Sequence, residues 1–409
     1  MEAQKIKDPI RPEFDRRGAG GLINPLKNPA KILVRGVNWL GDAVMSTPAL
    51  SRCREAHPEA HIALLTPAKL AELWQHHPAV DSIWPIADKE TAWSVGRRLR
   101  RETFDLAVVL PNSFRSALEV WLARIPIRIG YQGQWRRGLL TQAVASRSAA
   151  VPMRKRSERE IRHLIQSKTV PQAFAATNST NSAHHIHQYL HLMSYAGASS
   201  EPVPPRLVVT EAEVKAFWER WQIAANDSRP LFGLNPGAEY GPAKRWPAER
   251  FVEAAVEIQR QTNCHWIIFG VQAESELAAS IAAQIQAAVQ PQSPIANRPL
   301  PTPSVHNLAG RTTLRELAAG LKACRVLLTN DSGPMHVAAA LGTPVVALFG
   351  STSPVLTGPG LPGEGRHSLL QAEVPCAPCF RRRCPIDFRC MNGISVEAVV
   401  EAVVWAQPN

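Results

Sequence analysis

Short runs of apolar, β-branched residues recur along this chain, each followed by a longer stretch with helical spacing, and no other feature of the sequence constrains the fold as strongly. "KILVRG" (Lys31 to Gly36), "HIALLT" (His61 to Thr66) and "FDLAVVLP" (Phe104 to Pro111) have the continuous hydrophobicity of strands buried on both faces. Amphipathic segments such as "GDAVMSTPALSRCREAHP" follow them, and repetition of this kind builds a parallel sheet covered by helices. The pattern stops in the polar "VPQAFAATNSTNSAHH" (Val170 to His185) and the proline-rich "SSEPVPPRL" (Ser199 to Leu207). It resumes with "LFGLNPG", "HWIIFG", "RVLLTND" and "VVALFG". The expectation is an α/β protein with two open sheets of similar size, one in residues 31–204 and one in residues 205–409. Such sheets bind ligands at the carboxyl ends of their strands, so a cleft between the halves is the expected site.

Size and composition fit this reading. At 409 residues with 45% hydrophobic content, the chain exceeds what one core usually supports. The leader, residues 1–30, has mixed charges, four prolines and no apolar run, which excludes a secretory signal, and no uncharged span of transmembrane length follows. A cytoplasmic location is expected, with the leader disordered and residues 166–183 a flexible insertion. The seven cysteines are an odd number, and Cys53, Cys264 and Cys324 stand singly in core-like segments, unlike a disulfide framework. The net charge of +12 is concentrated in "GRRLRRE", "RKRSER" and "RRR" (Arg381 to Arg383). These runs are either solvated helix faces or a field for an acidic partner, a phosphorylated substrate or an anionic membrane surface; no nucleic-acid-binding motif accompanies them.

Three loops carry candidate chemistry. In "LTNDSGPMHVAAALGTPVVALFG" a strand delivers Asn330 and Asp331 to a sheet edge, and a helix begins near Gly333, with Ser332 or Asp331 expected as its cap. The free N–H groups of its first turn suit an anion, Gly333 permits close approach, and His336 stands one turn in. In "LNPGAEYGPAKRWPAERF", Lys244 and Arg245 follow a strand end and precede Pro247, a residue suited to a helix start; cations there suit a diphosphate. In "GVNWLGDAVMSTPAL", Asp42 stands at the start of the first helix, facing the cleft from the opposite half, where it is either a helix cap or a general base.

Together, "GDAVMSTPAL", "PGAEYGPAKRWP" and "TNDSGPMHVAAALGTPVVALFG" resemble the corresponding motifs of glycosyltransferase family 9, the lipopolysaccharide heptosyltransferases, and the likeness runs from Lys31 to Ala406. The resemblance implies a GT-B fold: two Rossmann-like domains facing a central cleft, an acceptor-binding amino half and a donor-binding carboxyl half. It implies inverting transfer of L-glycero-D-manno-heptose from ADP-heptose to the lipopolysaccharide inner core, with no cofactor and no catalytic metal. "LPNSFRSAL" and the full "PGAEYGPAKRWP" fit, within the family, transfer onto the first heptose rather than addition of that heptose. Carried over by motif, Asp42 is the base, Lys244 holds the diphosphate, and Asp331, Ser332, Gly333 and His336 form the donor loop. Glu274 matches an acid at the adenosine ribose, with Glu276 an alternative, and Arg115 is a candidate for an acidic acceptor or a plain surface charge. The expected partners are ADP-heptose, the inner-core acceptor and, peripherally, an anionic membrane surface, with no nucleic acid.

Two questions stay open at this point. "CAPCFRRRCPIDFRC" holds Cys376, Cys379, Cys384 and Cys390, either as a structural zinc site or as unligated or redox-labile thiols. The chain is also compatible with another family 9 transferase, with a nucleotide-sugar epimerase of similar two-domain fold, or with a non-catalytic nucleotide-sugar-binding protein.

Overall fold

The first sheet contains β1 (Lys31–Arg35), β2 (His61–Pro67), β3 (Ser82–Ile86), β4 (Leu106–Val109), β5 (Ile127–Tyr131) and β6 (Gln142–Val144) in the order β3-β2-β1-β4-β5-β6. The second contains β7 (Leu231–Asn235), β8 (His265–Ile268), β9 (Val305–Asn307), β10 (Val326–Asn330), β11 (Val345–Phe349) and β12 (His367–Gln371) in the order β12-β11-β10-β7-β8-β9. Every pairing in both is parallel, and the second sheet repeats the connectivity of the first. This computed structural model describes residues 29–133, 135–167, 183–223, 228–289, 305–361 and 365–406. The leader up to residue 28 and residues 168–182 of the expected insertion lie outside the described residues.

The central strands are the hydrophobic runs of the sequence: β4, β7, β10 and β11 are buried throughout, and β1 in all but its first residue. Strand order reverses between β1 and β4 and again between β7 and β10. The chain leaves those neighbouring strands in opposite directions, and the divergence opens a crevice at their carboxyl ends. Helix starts are secured locally: Ser157, Thr210 and Thr313 form reciprocal capping boxes with Glu160, Glu213 and Glu316.

The halves meet through two short helices that leave the carboxyl ends of β1 and β10, Leu40–Met45 and Gly333–Ala340. Small residues allow the approach. A methyl group on Gly41 would stand 2.7 Å from His336 Cδ2, and one on Gly333 would stand 2.9 Å from Leu40 Cβ. One apolar cluster therefore runs from Val34, Ala43 and Met45 in the first half to Met335, Val337 and Phe349 in the second. The amino ends of both helices face one cavity of about 370 Å³ between the sheets.

Candidate active site

Asp42 lies in the first turn of the Leu40–Met45 helix and lines this cavity. Its Oδ1 accepts a hydrogen bond from the Tyr189 hydroxyl at 2.8 Å, and His185 Nδ1 stands 4.0 Å away. Both partners come from "HHIHQYL", where the Ile186–Ser194 helix packs on the Thr47–Ala56 helix. Burial, reinforced by the Asp42 charge, holds the Tyr189 phenol well above its ordinary range, so the phenol remains a donor. Burial also lowers His185, although the Asp42 charge opposes the shift, and the ring is held towards its neutral form. Asp42 is thus a carboxylate positioned on one oxygen and open towards the cavity.

The opposite wall carries the expected donor residues. Lys244 Nζ donates to Asp331 Oδ2 at 2.6 Å, and the same oxygen accepts from Thr352 Oγ1 at 2.5 Å. The Lys244 ammonium also stands 4.9 Å from the centre of the Tyr240 ring. Ser332 occupies the cap position before the Gly333–Ala340 helix, but neither it nor Asp331 caps the helix with a side chain. The Ser332 hydroxyl accepts instead from Asn235 Nδ2 at 3.0 Å, and the Asp331 carboxylate is committed to Lys244 and Thr352. The helix start, with Gly333 first and Pro334 lacking a donor, retains amide groups suited to an anion. His336, one turn in, is buried at the cavity wall; burial lowers it to about 4 despite the charges of Asp331 and Asp42. A neutral imidazole there keeps one N–H donor.

Two asparagines hold these loops in register. Asn330 accepts from the Trp246 N–H at 3.0 Å and donates to the Pro236 carbonyl at 2.7 Å, while Asn235 donates to Thr329 and Ser332. The lysine-bearing loop is thereby tied to the end of β10, which brings Lys244 to Asp331.

Adjacent cations part company. Lys244 faces the cavity, whereas Arg245, one residue along an extended backbone, turns towards Glu274, with Nη2 to Oε1 at 3.6 Å. Pro247 directly precedes the Ala248–Thr262 helix rather than forming its first residue. Glu274 is buried and lies outside the cavity lining; it ends the turn Gln272–Glu274, and its Oε2 accepts from the Val271 N–H at 3.1 Å at the start of that turn, while Glu276 is exposed. Arg115 also lies outside the lining. It pairs with Glu119 at 3.1 Å and donates to the Glu90 carbonyl, and Glu119 is wholly buried against Arg35 at 2.8 Å. Arg115 thus extends a structural ion pair, with about half of its side chain exposed.

The cysteine-rich segment is a wall of the site. All four thiols are free; Cys376, Cys379 and Cys390 are buried and raised mainly by burial, which holds them in the thiol form. Among the described residues no three His, Cys, Asp or Glu side chains are grouped closely enough to hold a metal ion, while Cys376, Cys379, Cys384 and Cys390 together line one small cavity. The backbone between these cysteines does the positioning. The Phe380 carbonyl accepts from the Tyr240 hydroxyl at 2.7 Å, and the Arg382 carbonyl accepts from the Ala243 N–H at 3.0 Å. Phe380 and Arg382 thereby reach the cavity, where Lys155 and Met153 join them from the amino half.

The sequence profile of Glycosyltransferase family 9 (heptosyltransferase) matches residues 92–388. Lipopolysaccharide heptosyltransferase 2 of Salmonella typhimurium is 34% identical over 338 residues, covering 80% of this chain and 85% of that protein. The chain belongs to glycosyltransferase family 9. Among solved structures, the E. coli ADP-heptose lps heptosyltransferase II is similar, with a TM-score of 0.69 and 28% identity over 92% of this chain and 98% of that one. The family 9 glycosyl transferase of Veillonella parvula shares the fold at a TM-score of 0.71 and 22% identity. The expected α/β GT-B architecture is therefore the observed one, and this family 9 glycosyltransferase places Asp42 and the Lys244–Asp331 pair on facing walls of its interdomain cavity.

Proposed function

We propose that this glycosyltransferase transfers L-glycero-D-manno-heptose from ADP-heptose onto the first heptose of the lipopolysaccharide inner core, with inversion at the anomeric carbon. Residues 31–204 hold the acceptor and residues 205–409 hold the donor. The observation that carries this reading is the cavity between the sheets, with an oriented carboxylate on one wall and a lysine and an uncapped helix start on the other.

In this reading Asp42 takes the proton of the acceptor hydroxyl as that oxygen bonds to the anomeric carbon. The bond from that carbon to the ADP oxygen breaks on the opposite face, and the electron pair leaves with ADP. Lys244 and the N–H groups at Gly333 stabilise the charge that develops there, an electrostatic contribution that grows in a water-poor cavity. Asp331 holds Lys244 until the diphosphate arrives, His336 and Ser332 border the sugar, and Glu274 serves the adenosine ribose. Arg115 meets an acidic acceptor group at the outer edge. No helix among the described residues is long and apolar enough to cross a membrane. We place the enzyme in the cytoplasm, peripherally at the inner face of the membrane, with no nucleic-acid partner.

The deciding experiment is a transfer assay with ADP-heptose and two truncated acceptors, one without heptose and one bearing a single heptose. Transfer only to the second is expected. Transfer to the first moves the assignment to the enzyme that adds the first heptose, and donor binding without transfer to either overturns the acceptor assignment. Asp42→Asn is expected to abolish transfer while ADP binding persists; full activity of that variant removes Asp42 as the base.

A further inference from the structure

Two helices on the outside of the amino half, Ala92–Leu99 and Phe114–Leu122, pack side by side. They nearly touch at Gly96, where a methyl group would lie 2.4 Å from Leu122 Cβ. Their inner residues, Val95, Leu99, Ala117 and Val120, belong to the core. Their outer residues are unusual for a soluble surface. Trp93, Phe114 and Trp121 are 61%, 44% and 45% exposed, and Leu118 is partly exposed between the last two at helical spacing. Arg97, Arg100, Arg101 and Arg124 are exposed around them, and none has a carboxylate within ion-pair distance among the described residues. Within residues 91–101 and 112–124 the single acid, Glu119, is wholly buried.

We propose that this face docks on an anionic phospholipid bilayer, a proposal that rests on the membrane-peripheral reading above and names the surface that makes the contact. Indole rings favour the polar–apolar boundary of a bilayer, and arginine side chains reach phosphate headgroups while their stems cover apolar surface. An isologous contact between two copies would set these arginines against each other, which disfavours a dimer through the same face. The placement serves the site. Both helices follow strands of the first sheet, β3 and β4, so their amino ends lie at the carboxyl edge that also bears Asp42 after β1. A bilayer here presents a membrane-held acceptor at the mouth of the cleft.

The test is flotation of the full chain with vesicles of phosphatidylglycerol and phosphatidylcholine, against phosphatidylcholine alone. Arg97→Ala with Arg101→Ala is compared with Trp93→Ser with Trp121→Ser, none of these positions lining the catalytic cavity. The wild-type chain is expected to float with anionic vesicles only. Each arginine removed should lower partition about fivefold, so the double arginine variant falls about 25-fold. The tryptophan variant should also lose the blue shift of fluorescence seen on vesicle addition. Both variants should keep wild-type transfer rates on a short water-soluble acceptor, which shows that they are folded. Flotation of both variants at wild-type levels overturns the assignment of this face while leaving membrane association intact. Absence of wild-type flotation overturns membrane docking while leaving the transfer assay to stand. Capture by single-stranded RNA that vesicles do not compete, or a dimer dissolved by these substitutions, assigns the face to another partner and refutes the proposal.

Discussion

Removing the Lys244 ammonium should cost both fold stability and donor affinity. Lys244 Nζ lies 2.6 Å from Asp331 Oδ2, with the two side chains 12% and 4% exposed. After Lys244→Ala the carboxylate stays buried with Thr352 Oγ1 as its remaining side-chain donor. Breaking a buried pair from one side typically costs about 3 to 5 kcal/mol, because the surviving charge is uncompensated. For a folding unit of this size, each kcal/mol corresponds to roughly 2 to 4 °C, so the midpoint should fall by roughly 6 to 20 °C. Adding Asp331→Asn removes the stranded charge and should recover most of that loss. ADP loses a charge-assisted contact worth about 1.5 to 3 kcal/mol, a weakening of about tenfold or more. Thermal unfolding of the two single variants and the double variant, with calorimetric titration of ADP, measures each quantity. Additive losses of stability, or wild-type ADP affinity in Lys244→Ala, would refute the reasoning, since contacting residues of a coupled pair must show an interaction energy.

Tyr189→Phe should lower kcat about tenfold with ADP affinity unchanged, because one hydrogen bond that orients a charged base is lost; an unaltered kcat would remove the tyrosine from the site's function. Gly241→Ala should destabilise the second half by about 1 to 3 kcal/mol. Gly241 has φ +146°, and a methyl group there would lie 2.7 Å from the Arg382 carbonyl oxygen, so the cysteine-bearing wall must shift. Faster reaction of the buried Cys379 with a thiol reagent would report that shift, and unchanged reactivity would count against it. Stability should also fall as pH drops from about 6.5 towards 4. Burial lowers His77 and His336 from 6.5 to about 4 and His184 to about 3. Across this window the unfolded chain takes up protons that the folded chain refuses, so the unfolded state gains, and the full contribution is present only above about 6.5. His77→Asn, whose amide oxygen can still accept from the Ala79 N–H, should flatten the slope in chemical denaturation by about one proton, and an identical slope would exclude His77.

The strands read from sequence are the central ones. β1, β2, β4, β7, β8, β10 and β11 each carry a continuous apolar run with polar residues confined to their ends, because a parallel strand with helices on both faces meets apolar neighbours along its middle. The interior strand β5 escapes that reading, because Arg128 and Gly130 interrupt the apolar run of "IRIGY". The edge strands β3, β6, β9 and β12 left weaker traces. They are half-exposed or three residues long, and sequences such as "HSLLQ" and "VHN" lack a continuous apolar signal. The loops that bear Asp42, Lys244 and Asp331 were legible for a different reason. A chain that must turn at a strand's carboxyl end, start a helix and receive an anion needs Gly, Pro and polar residues in close succession.

Local pattern therefore determined the α/β class, the doubled strand–helix repeat and the three loops that meet at the cleft. Partners distant in sequence were decided only by tertiary packing. Tyr189 reaches Asp42 across 147 residues, and Thr352 and Asn235 withdraw Asp331 and Ser332 from helix capping. Side-chain direction was decided in the same way: Lys244 and Arg245 are neighbours in sequence, yet one lines the cavity and the other turns to Glu274. The physical reason is common to all of these. A periodic apolar pattern is a property of consecutive residues, whereas the partner of a buried polar group is whichever element the folded sheets bring within hydrogen-bond or ion-pair reach, and burial of at least one member then favours the pairing.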